Sequence, residues 1–429
     1  MNPADGNLAQ VRQAAPGVAW LEAPADLAAY AVDGLTPRLA ARPHTPRQAA
    51  EALAAAAGAG WAVVPWGGGT HMAVGQPRRR LDLALDLRSL HGISEHDRDN
   101  LTVTVQAGCT LAALQGALRA ARQWLPLEAP DPSRATVGGV LAANTSGPRR
   151  LRYGTARDLV LGLEVALPNG ELIHPGGKTV KNVAGYDLSR LFIGAWGTLG
   201  VLTAATFRLV PLALRSSTVW ASFAHPDEAF AFAQALCGSR LGLAAVEVIS
   251  APLAGLPPTA GAALWVATLW EGSEAAVRRA LREAPTLAQG ALALGELTGP
   301  AHDALWTALA RNGLGQGGPG SPLLRVGAPP SRLAEAWRLL ECASFRQVRG
   351  GSGLLYAVWP AAEAMPLAAW RAELAQWGGY LALERGPLPL RRAEWVWGPA
   401  DAAARPMRAL KQALDPRGCL NPGLLGEDL

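Results

Sequence analysis

The chain has 429 residues, half of them apolar, and a formal net charge of +5, which predicts two or three domains with sizeable cores. The arginines are scattered and no basic run is interleaved with aromatic residues, so nucleic acid is not an expected partner. The four cysteines, Cys109, Cys237, Cys342 and Cys419, are isolated from one another, so the chain is expected to hold neither an iron–sulfur cluster nor any other metal.

The N-terminus carries no basic stretch followed by an apolar one, and no apolar run is long enough to cross a bilayer. We therefore expect a cytoplasmic protein without a transmembrane segment, or one held at the inner membrane only through partners.

The first predicted elements lead into a glycine-rich loop. Thr45 and Pro46 predict the start of a helix that continues from Arg47 to about Ala57. Residues 61–64 are expected to form a short buried strand, which runs directly into 65–70, PWGGGT. A strand followed by three glycines allows backbone N–H groups to approach phosphate oxygens. The loop is neither a Walker A sequence nor a dinucleotide fingerprint.

Further strands are predicted at 81–87, 101–105, 158–167 and 201–210, with a short return strand at 171–174 and helices at 110–122 and 136–144. The stretch 176–202, which leads into the last of these strands, contains six glycines and two of the three lysines of the chain, Lys178 and Lys181. Past residue 214, strand-like and helix-like segments alternate, which is typical of an antiparallel sheet with helices on one face. Gly313–Gly320 is expected to be a linker or loop.

Five motifs in one order resemble the FAD-linked oxidase superfamily of p-cresol methylhydroxylase and vanillyl-alcohol oxidase, and within it the E subunits of bacterial glycolate oxidases. They are PWGGGTHM, TVGGVLAANTSGPRRLRYG, DLVLGLEVALPNG, GGKTVKNVAGYDLSRLFIGAWGTLGVLT and LDPRGCLNPG. The resemblance implies an α+β fold with a two-subdomain FAD-binding domain of the p-cresol methylhydroxylase (PCMH) type over 43–214. A 1–42 extension would precede it, and an antiparallel α+β domain would follow over 215–429, with 410–425 returning to the FAD domain.

The same resemblance implies roles for individual residues. The pyrophosphate of FAD would lie on the loop formed by Pro65, Trp66, Gly67, Gly68, Gly69, Thr70, His71 and Met72. The ribityl chain and flavin would lie along Glu128–Asp131, where Asp131 is the candidate contact, and along Thr136, Gly138 and Gly139. The flavin would be lined by Asn144, Ser146, Gly147, Tyr153, Gly154 and Asp158. The adenine would be read by the backbone of Gly200 and Val201, while Lys178 and Lys181 would lie near the cofactor or an acidic substrate.

The flavin is expected to be held non-covalently. In relatives with a histidyl-linked flavin the histidine directly follows the glycines of the loop, whereas here Thr70 takes that place. Alternation along an extended loop would turn His71 away from the flavin.

The chain also departs from the family's pattern. Catalytic members that act on 2-hydroxy acids carry a histidine followed by a GDGN-like stretch, where this chain has Arg349–Tyr356, and its last histidine is His302. No base for the substrate hydroxyl can be named from the sequence. Three functions stay open: an FAD-binding subunit of a 2-hydroxy-acid (glycolate) dehydrogenase complex with a homologous flavoprotein and an iron–sulfur subunit, a stand-alone oxidase or dehydrogenase of D-2-hydroxy acids, or a non-catalytic assembly subunit.

Overall fold

The first sheet of the fold is mixed. The computed structural model describes residues 3–177, 187–317, 320–360, 364–393, 396–398 and 403–426. The strands of the first sheet are β1 (Ala19–Leu21), β2 (Leu39–Arg42), β3 (Val63–Trp66) and β4 (Leu83–Asp86). They lie in the order β1-β2-β4-β3, with β1 antiparallel and the others parallel. The segment treated as an N-terminal extension therefore supplies two of the strands of this sheet.

Helices flank this sheet. They are α1 (Pro3–Ala14), α2 (Pro24–Ala28) and α3 (Pro46–Gly58). The last begins as predicted, because the Thr45 side chain accepts a hydrogen bond from the backbone N–H of Gln48. Its buried alanines and Leu53 pack on β4 and on strands of the second sheet.

The second sheet is antiparallel. Its strands are β5 (Ile93–Asp97), β6 (Thr102–Gln106), β8 (Val160–Ala166), β9 (Leu172–Ile173) and β10 (Val201–Arg208), and a separate small pair is β7 (Gln123–Trp124) with β11 (Val210–Pro211). The order is β5-β6-β10-β8-β9. Its helices are α4 (Leu111–Arg119), α5 (Val137–Ala143), α6 (Arg150–Tyr153), α7 (Ala156–Leu159) and α8 (Ser189–Phe192). Thr110 and Thr136 cap α4 and α5 through their hydroxyls.

The C-terminal half is built on one eight-stranded antiparallel sheet. Its strands are β12 (Arg215–Phe223), β13 (Leu243–Ile249), β14 (Leu264–Gly272), β15 (Ala293–Leu297), β16 (Leu323–Gly327), β17 (Phe345–Arg349), β18 (Leu354–Val358) and β19 (Tyr380–Arg385). They lie in the order β15-β12-β14-β13-β17-β18-β16-β19. β15, β17 and β19 were not predicted from the sequence.

Helices cover both faces of this sheet rather than one. They are α9 (Pro226–Cys237), α10 (Glu274–Glu283), α11 (Gly299–Leu309), α12 (Leu333–Leu339), α13 (Leu367–Gln376), α14 (Leu388–Ala393) and α15 (Ala404–Leu414). Residues of α9, α10, α12 and α13 share one buried cluster with the sheet, whereas Leu305 and Trp306 of α11 belong to a cluster on the opposite side.

The chain then returns to the first sheet. The backbone N–H of Val63 donates to the Cys419 carbonyl, and the N–H of Asn421 donates to the Val63 carbonyl. Residues 419–421 therefore extend the sheet beside β3, next to the glycine loop.

Candidate functional site

A narrow cavity of about 70 Å³ lies between the first two sheets. Eight residues predicted to bind FAD line it: Pro65, Trp66, Gly67, Thr136, Gly138, Gly139, Gly200 and Val201. Trp196 and Asn421 complete its wall, and the Asn421 side chain donates to the Trp196 carbonyl. The loop after β3, the start of α5 and the start of β10 are thereby brought to one place, although they are far apart in sequence.

The glycines of the loop are required by packing of the protein on itself. A Cβ on Gly67 would overlap the Thr136 hydroxyl, and one on Gly68 would overlap the carbonyl oxygen of Arg134. Gly69 has a φ of +70°, which side chains disfavour. The sequence-based reason, that a Cβ would fill phosphate volume, is therefore incomplete, because the clashes arise without any ligand.

A second cavity, of about 670 Å³, continues from the far end of the same loop. Its lining includes Gly69, Thr70, His71, Met72 and Asp131. His71 also lines a third cavity, of about 40 Å³, together with Asn144 and Ser146. The three cavities thus lie against successive parts of the same loop and its neighbours.

His71 lies at the junction of the second and third cavities. Its Nδ1 is 3.0 Å from the Thr70 hydroxyl and its Nε2 is 3.0 Å from the Thr145 hydroxyl. Burial lowers the pKa of the imidazole below its ordinary value. The reason given for expecting His71 to face away from the flavin does not hold, because residues 70–73 form a turn and the alternation of an extended chain does not apply.

Asn144 ends α5 in the left-handed conformation, with φ of 49°, a role for which asparagine is suited. Its side-chain oxygen is buried without a hydrogen-bond partner while the residue lines the third cavity. A buried acceptor of this kind indicates a place for a donor from a ligand.

The C-terminal sheet supplies the other wall of the third cavity. Arg325, Tyr356, Glu384 and Arg385 line it opposite Arg150. Arg325 Nε is 3.1 Å from Glu384 Oε2, but neither atom makes an aligned hydrogen bond. Arg385 donates to the Thr70 carbonyl and thereby ties β19 to the loop.

Positive charge exceeds negative charge in this cavity. Three guanidinium groups face one carboxylate. The Glu384 carboxylate raises the pKa of Arg325, whereas burial and repulsion from Arg349 and other cations lower the pKa of Arg150. The unbalanced charge of Arg150 would be relieved by a bound anion.

Seven of the described residues that were predicted to contact FAD do not line any of the three cavities: Gly68, Glu128, Ala129, Gly147, Tyr153, Gly154 and Asp158. Asp158 instead accepts hydrogen bonds from the N–H and hydroxyl of Thr155 and so caps α7. The predicted positions Lys178 and Lys181 lie outside the residues that the structure describes.

Tyr153 and Glu128 belong to a buried ionic cluster between the two halves of the chain. Arg149 contacts Glu128 at 2.6 Å and Glu271 at 2.8 Å, and the Tyr153 hydroxyl donates to Glu271. Burial, followed by the nearby Glu271 carboxylate, raises the pKa of Tyr153 to about 12. This cluster holds α6 against β14, so these residues position the walls of the third cavity and do not line it.

Sequence reasoning did not find the four residues that the C-terminal sheet contributes. Arg325 and Tyr356 stand inside strands that are otherwise apolar, LLRVG and LLYAV. A single polar side chain in such a strand is a signal, because a buried polar group needs a partner. Glu384 and Arg385 end a strand that was not predicted, so no comparable signal pointed to them.

Comparison with known families and relatives agrees with this geometry. Residues 37–176 match the FAD binding domain family. Glycolate oxidase subunit GlcD of Bacillus subtilis is 37% identical over 216 residues, covering 48% of this chain and 45% of that protein. Glycolate oxidase subunit GlcE of Escherichia coli is 43% identical over 128 residues, covering 30% of this chain and 37% of that protein. D-lactate dehydrogenase of Archaeoglobus fulgidus is 42% identical over 156 residues, covering 36% of this chain and 34% of that protein. The chain thus spans less than half the length of these relatives.

Solved structures share the whole fold. p-Cresol methylhydroxylase matches with a TM-score of 0.75 at 18% identity, over 99% of this chain and 97% of that one. 4-Ethylphenol oxidase from Gulosibacter chungangensis matches with a TM-score of 0.73 at 16% identity, over 99% of this chain and 97% of that one. The predicted α+β class, with a PCMH-type domain followed by an antiparallel sheet, is confirmed. Among the described residues, no helix is long and apolar enough to span a membrane, and no cluster of acidic, histidine and cysteine residues is arranged to hold a metal ion.

Proposed function

We propose that the chain, whose residues 37–176 match the FAD binding domain family, oxidises a small 2-hydroxy acid, glycolate to glyoxylate in the first instance. It would do so as the FAD-binding subunit of a complex with a homologous flavoprotein and an iron–sulfur subunit. Relatives named as glycolate oxidase subunits and as a D-lactate dehydrogenase support this proposal.

The observation that carries the proposal is the excess of positive charge in the third cavity. Arg150, Arg325 and Arg385 leave two positive charges after Glu384 is counted. A small carboxylate would receive charge-assisted hydrogen bonds from these guanidinium groups, which suit planar oxyanions. An uncharged alcohol would gain nothing from them.

The residues of the three cavities fit FAD. The loop Pro65–Met72 would hold the pyrophosphate, the walls around Val201 would hold the adenine, and Asn144 would offer its buried oxygen to the flavin end of the molecule. Bound FAD supplies the two-electron acceptor for the oxidation. The part of this chain is to bind the acid, orient it, exclude water and take up its hydroxyl proton.

A stand-alone D-2-hydroxy-acid oxidase or dehydrogenase is the second candidate. The sequence suggested an incomplete substrate site, because the stretch Arg349–Tyr356 lacks histidine. Tyr356 and Glu384 nevertheless line the third cavity beside the arginines, so ionisable groups are available in this chain itself. That observation favours activity without a catalytic partner and weakens the case for a purely structural assembly subunit.

The test starts from the full chain purified alone and loaded with FAD. Flavin content is read from the absorption spectrum, and reduction is followed anaerobically after addition of glycolate, D-lactate or D-2-hydroxyglutarate. Bleaching by one of these acids, and not by ethanol or 1,2-propanediol, is expected. A chain that binds FAD but is reduced only when its partner subunits are added would support the complex over the stand-alone enzyme. A chain that retains no FAD would contradict both.

A further inference from the structure

The C-terminal segment joins two walls of the narrow cavity between the first two sheets. On one side, Val63 at the start of β3 exchanges backbone hydrogen bonds with Cys419 and Asn421. On the other side, the Asn421 side-chain amide donates to the Trp196 carbonyl at 2.9 Å. Trp196 and Asn421 both line this cavity. The distance between its two walls therefore depends on where the C-terminal segment lies.

Asn421 is held in turn by Arg78. Arg78 Nε donates to Asn421 Oδ1 at 3.0 Å, and its Nη1 donates to the Met72 carbonyl at 3.0 Å. Arg78 and Asn421 are only 7% and 4% exposed. Since Met72 is the last residue of the glycine loop, the Asn421 side chain connects that loop with the segment around Trp196.

A single lysine fixes the C-terminal segment to this second wall. Lys411 of α15 is one of three lysines among 39 lysine and arginine residues. Its Nζ donates to the Thr198 carbonyl at 2.8 Å, to the Leu420 carbonyl at 3.0 Å and to Asp415 Oδ2 at 2.6 Å. An ammonium group has three N–H donors, and here each has an acceptor. No nitrogen of an arginine side chain carries more than two N–H groups, so arginine could not make the same three contacts from one atom.

Asp415 makes the contact rigid. Its side chain is fully buried. Oδ1 accepts from the Cys419 N–H at 3.0 Å, and Oδ2 accepts from the Leu420 N–H at 2.8 Å as well as from Lys411. The carboxylate thus fixes the turn between α15 and residue 420, and Lys411 joins that turn to Thr198.

We propose that Lys411 is a positioning residue of the FAD site, which holds the C-terminal segment against the segment around Thr198 and so keeps the adenine end of the site closed around the cofactor. The inference rests on the proposed placing of the adenine beside Val201. It concerns the binding of FAD and does not depend on which acid is oxidised.

The effect of Lys411 on FAD is transmitted through the neighbours of its acceptors. Gly197 directly precedes Thr198, and Asn421 directly follows Leu420. Gly197 and Asn421 both line the narrow cavity, whereas Lys411 itself does not. Loss of the ammonium would release two parts of the cavity wall at once.

This contact acts on one end of the site only. The third cavity, where Asn144 would meet the flavin, is lined by other residues. Loss of Lys411 should therefore weaken ligands that carry adenosine more than a flavin that lacks it. FMN is the flavin half of FAD, and ADP carries the adenosine and both phosphates, so these two ligands report on the two ends separately.

The test measures the dissociation constants of FAD, FMN and ADP for the flavin-free full chain by isothermal titration calorimetry. Lys411→Met should raise the constants for FAD and ADP by about 10-fold or more, as expected when hydrogen bonds from a charged group are lost. The constant for FMN should stay within twofold. An equal rise for FAD and FMN, or an unchanged constant for FAD, would overturn the proposal.

A matched control separates this role from a loss of stability, because Lys411→Met also removes the cation beside the buried Asp415. Leu305 is fully buried in α11, on the opposite side of the C-terminal sheet, and lines none of the three cavities. Leu305→Ala should lower the midpoint of urea unfolding and leave the ratio of the FAD and FMN constants unchanged. A ratio that changes equally in Leu305→Ala would show that it reports stability, and the proposal would fail.

Lys411→Arg serves if Lys411→Met does not fold. It retains a positive charge beside Asp415 but loses the three contacts from one nitrogen, so the ratio should change in the same direction by a smaller factor. A wild-type ratio in a folded Lys411→Arg chain would overturn the proposal in that case.

These measurements are independent of substrate oxidation. A wild type that binds FAD but is reduced by no acid, with or without partner subunits, contradicts the proposed function, while the three dissociation constants still decide the role of Lys411. Asn421→Ala tests the placing of the adenine, because it should weaken ADP if the adenine lies in the narrow cavity. ADP that is weakened by Asn421→Ala and not by Lys411→Met would overturn the role of Lys411 alone, and ADP that is weakened by neither would overturn the placing of the adenine as well.

Discussion

A Cβ atom on Gly68 would overlap the backbone carbonyl oxygen of Arg134. The glycine loop and the segment before α5 thus approach each other as closely as two backbones can. The Arg134 side chain adds a hydrogen bond to the Gly68 carbonyl at 3.1 Å. The cradle at this end of the site is therefore built by the protein before any ligand arrives.

Gly68→Ala should accordingly lower the stability of the flavin-free protein as well as its affinity for FAD. A clash with backbone cannot be relieved by a side-chain rotation, so a loss of about 1–3 kcal/mol is expected. Urea unfolding of the flavin-free chain measures the first effect, and FAD titration the second. A variant that loses FAD while its flavin-free stability is unchanged would favour the ligand-volume explanation drawn from the sequence.

Gly116→Ala is the matched control. A Cβ at Gly116 meets nothing within 4 Å, and the residue lies in the exposed part of α4. Alanine in a helix interior should raise stability by about 0.5–1 kcal/mol and leave FAD binding unchanged.

The glycine loop and the substrate cavity differ in how far the sequence could predict them. Pro65–Met72, Thr136–Gly139 and Gly200–Val201 are contiguous motifs, so each can be recognised in the sequence, although the contacts that require Gly67 and Gly68 are long-range. Arg325, Tyr356 and Glu384 meet only because β16, β18 and β19 are neighbours in a sheet whose order is not sequential. Long-range strand pairing leaves no local trace, and β17 and β19 were missed altogether. The ion pair of Arg149 with Glu271 likewise depends on a partner that spacing does not reveal. The cap that Asp158 makes with Thr155 is a local spacing that the sequence did offer.

Arg150→Met should weaken binding of oxalate or glycolate without lowering stability. Among the described residues, the Arg150 side chain donates only to the Ser146 hydroxyl, at 3.1 Å, and burial and neighbouring cations oppose its charge. Loss of one charge-assisted hydrogen bond of about 1.5–3 kcal/mol corresponds to roughly 10- to 150-fold in the dissociation constant. Perturbation of the flavin spectrum gives that constant, and thermal unfolding gives stability.

Arg119→Met, at an exposed position of α4, controls for loss of a positive charge in general. It should leave oxalate affinity within twofold. A lower stability of Arg150→Met, in addition to weaker oxalate binding, would contradict the prediction. It would show that the charge of Arg150 is already balanced in the folded protein.

Removal of Arg149 should destabilise the protein far more than removal of the whole ionic cluster. Arg149→Met would leave Glu128 and Glu271, which are 13% and 7% exposed, facing each other without a counterion. Breaking a buried pair in this way costs about 3–5 kcal/mol. The triple variant Glu128→Gln/Arg149→Met/Glu271→Gln should recover most of that loss in urea unfolding. Equal losses in the single and triple variants would show that the charges themselves do not matter.

Stability should decline in mild acid because the pKa values of two histidines are lowered in the folded chain. Burial lowers the pKa of His71 and of His302, whose nitrogens contact the hydroxyls of Ser216 and Thr218. As pH falls through about 6.5, the unfolded chain takes up protons that the folded chain does not, so the free energy of unfolding falls. Each histidine contributes a slope of up to about 1.4 kcal/mol per pH unit. His71→Gln and His302→Gln should each flatten the curve between pH 5 and 7, and exposed His91→Gln should not.

The flavin should leave the protein on acid denaturation. A histidyl link to the flavin would require an imidazole nitrogen free to bond carbon, whereas both nitrogens of His71 lie 3.0 Å from threonine hydroxyls, those of Thr70 and Thr145. The prediction thus rests on these contacts and no longer on the direction in which an extended loop would point the ring. The yellow colour is expected in the supernatant after precipitation in acid, for the wild type and for His71→Gln alike. Fluorescence that stays with the wild-type band on a denaturing gel and is lost from His71→Gln would reveal a covalent bond at His71. Thr145→Val removes the hydroxyl beside His71 Nε2, and its flavin should still be extractable. Flavin that stays with this variant would show that the hydroxyl contact alone prevents a covalent bond.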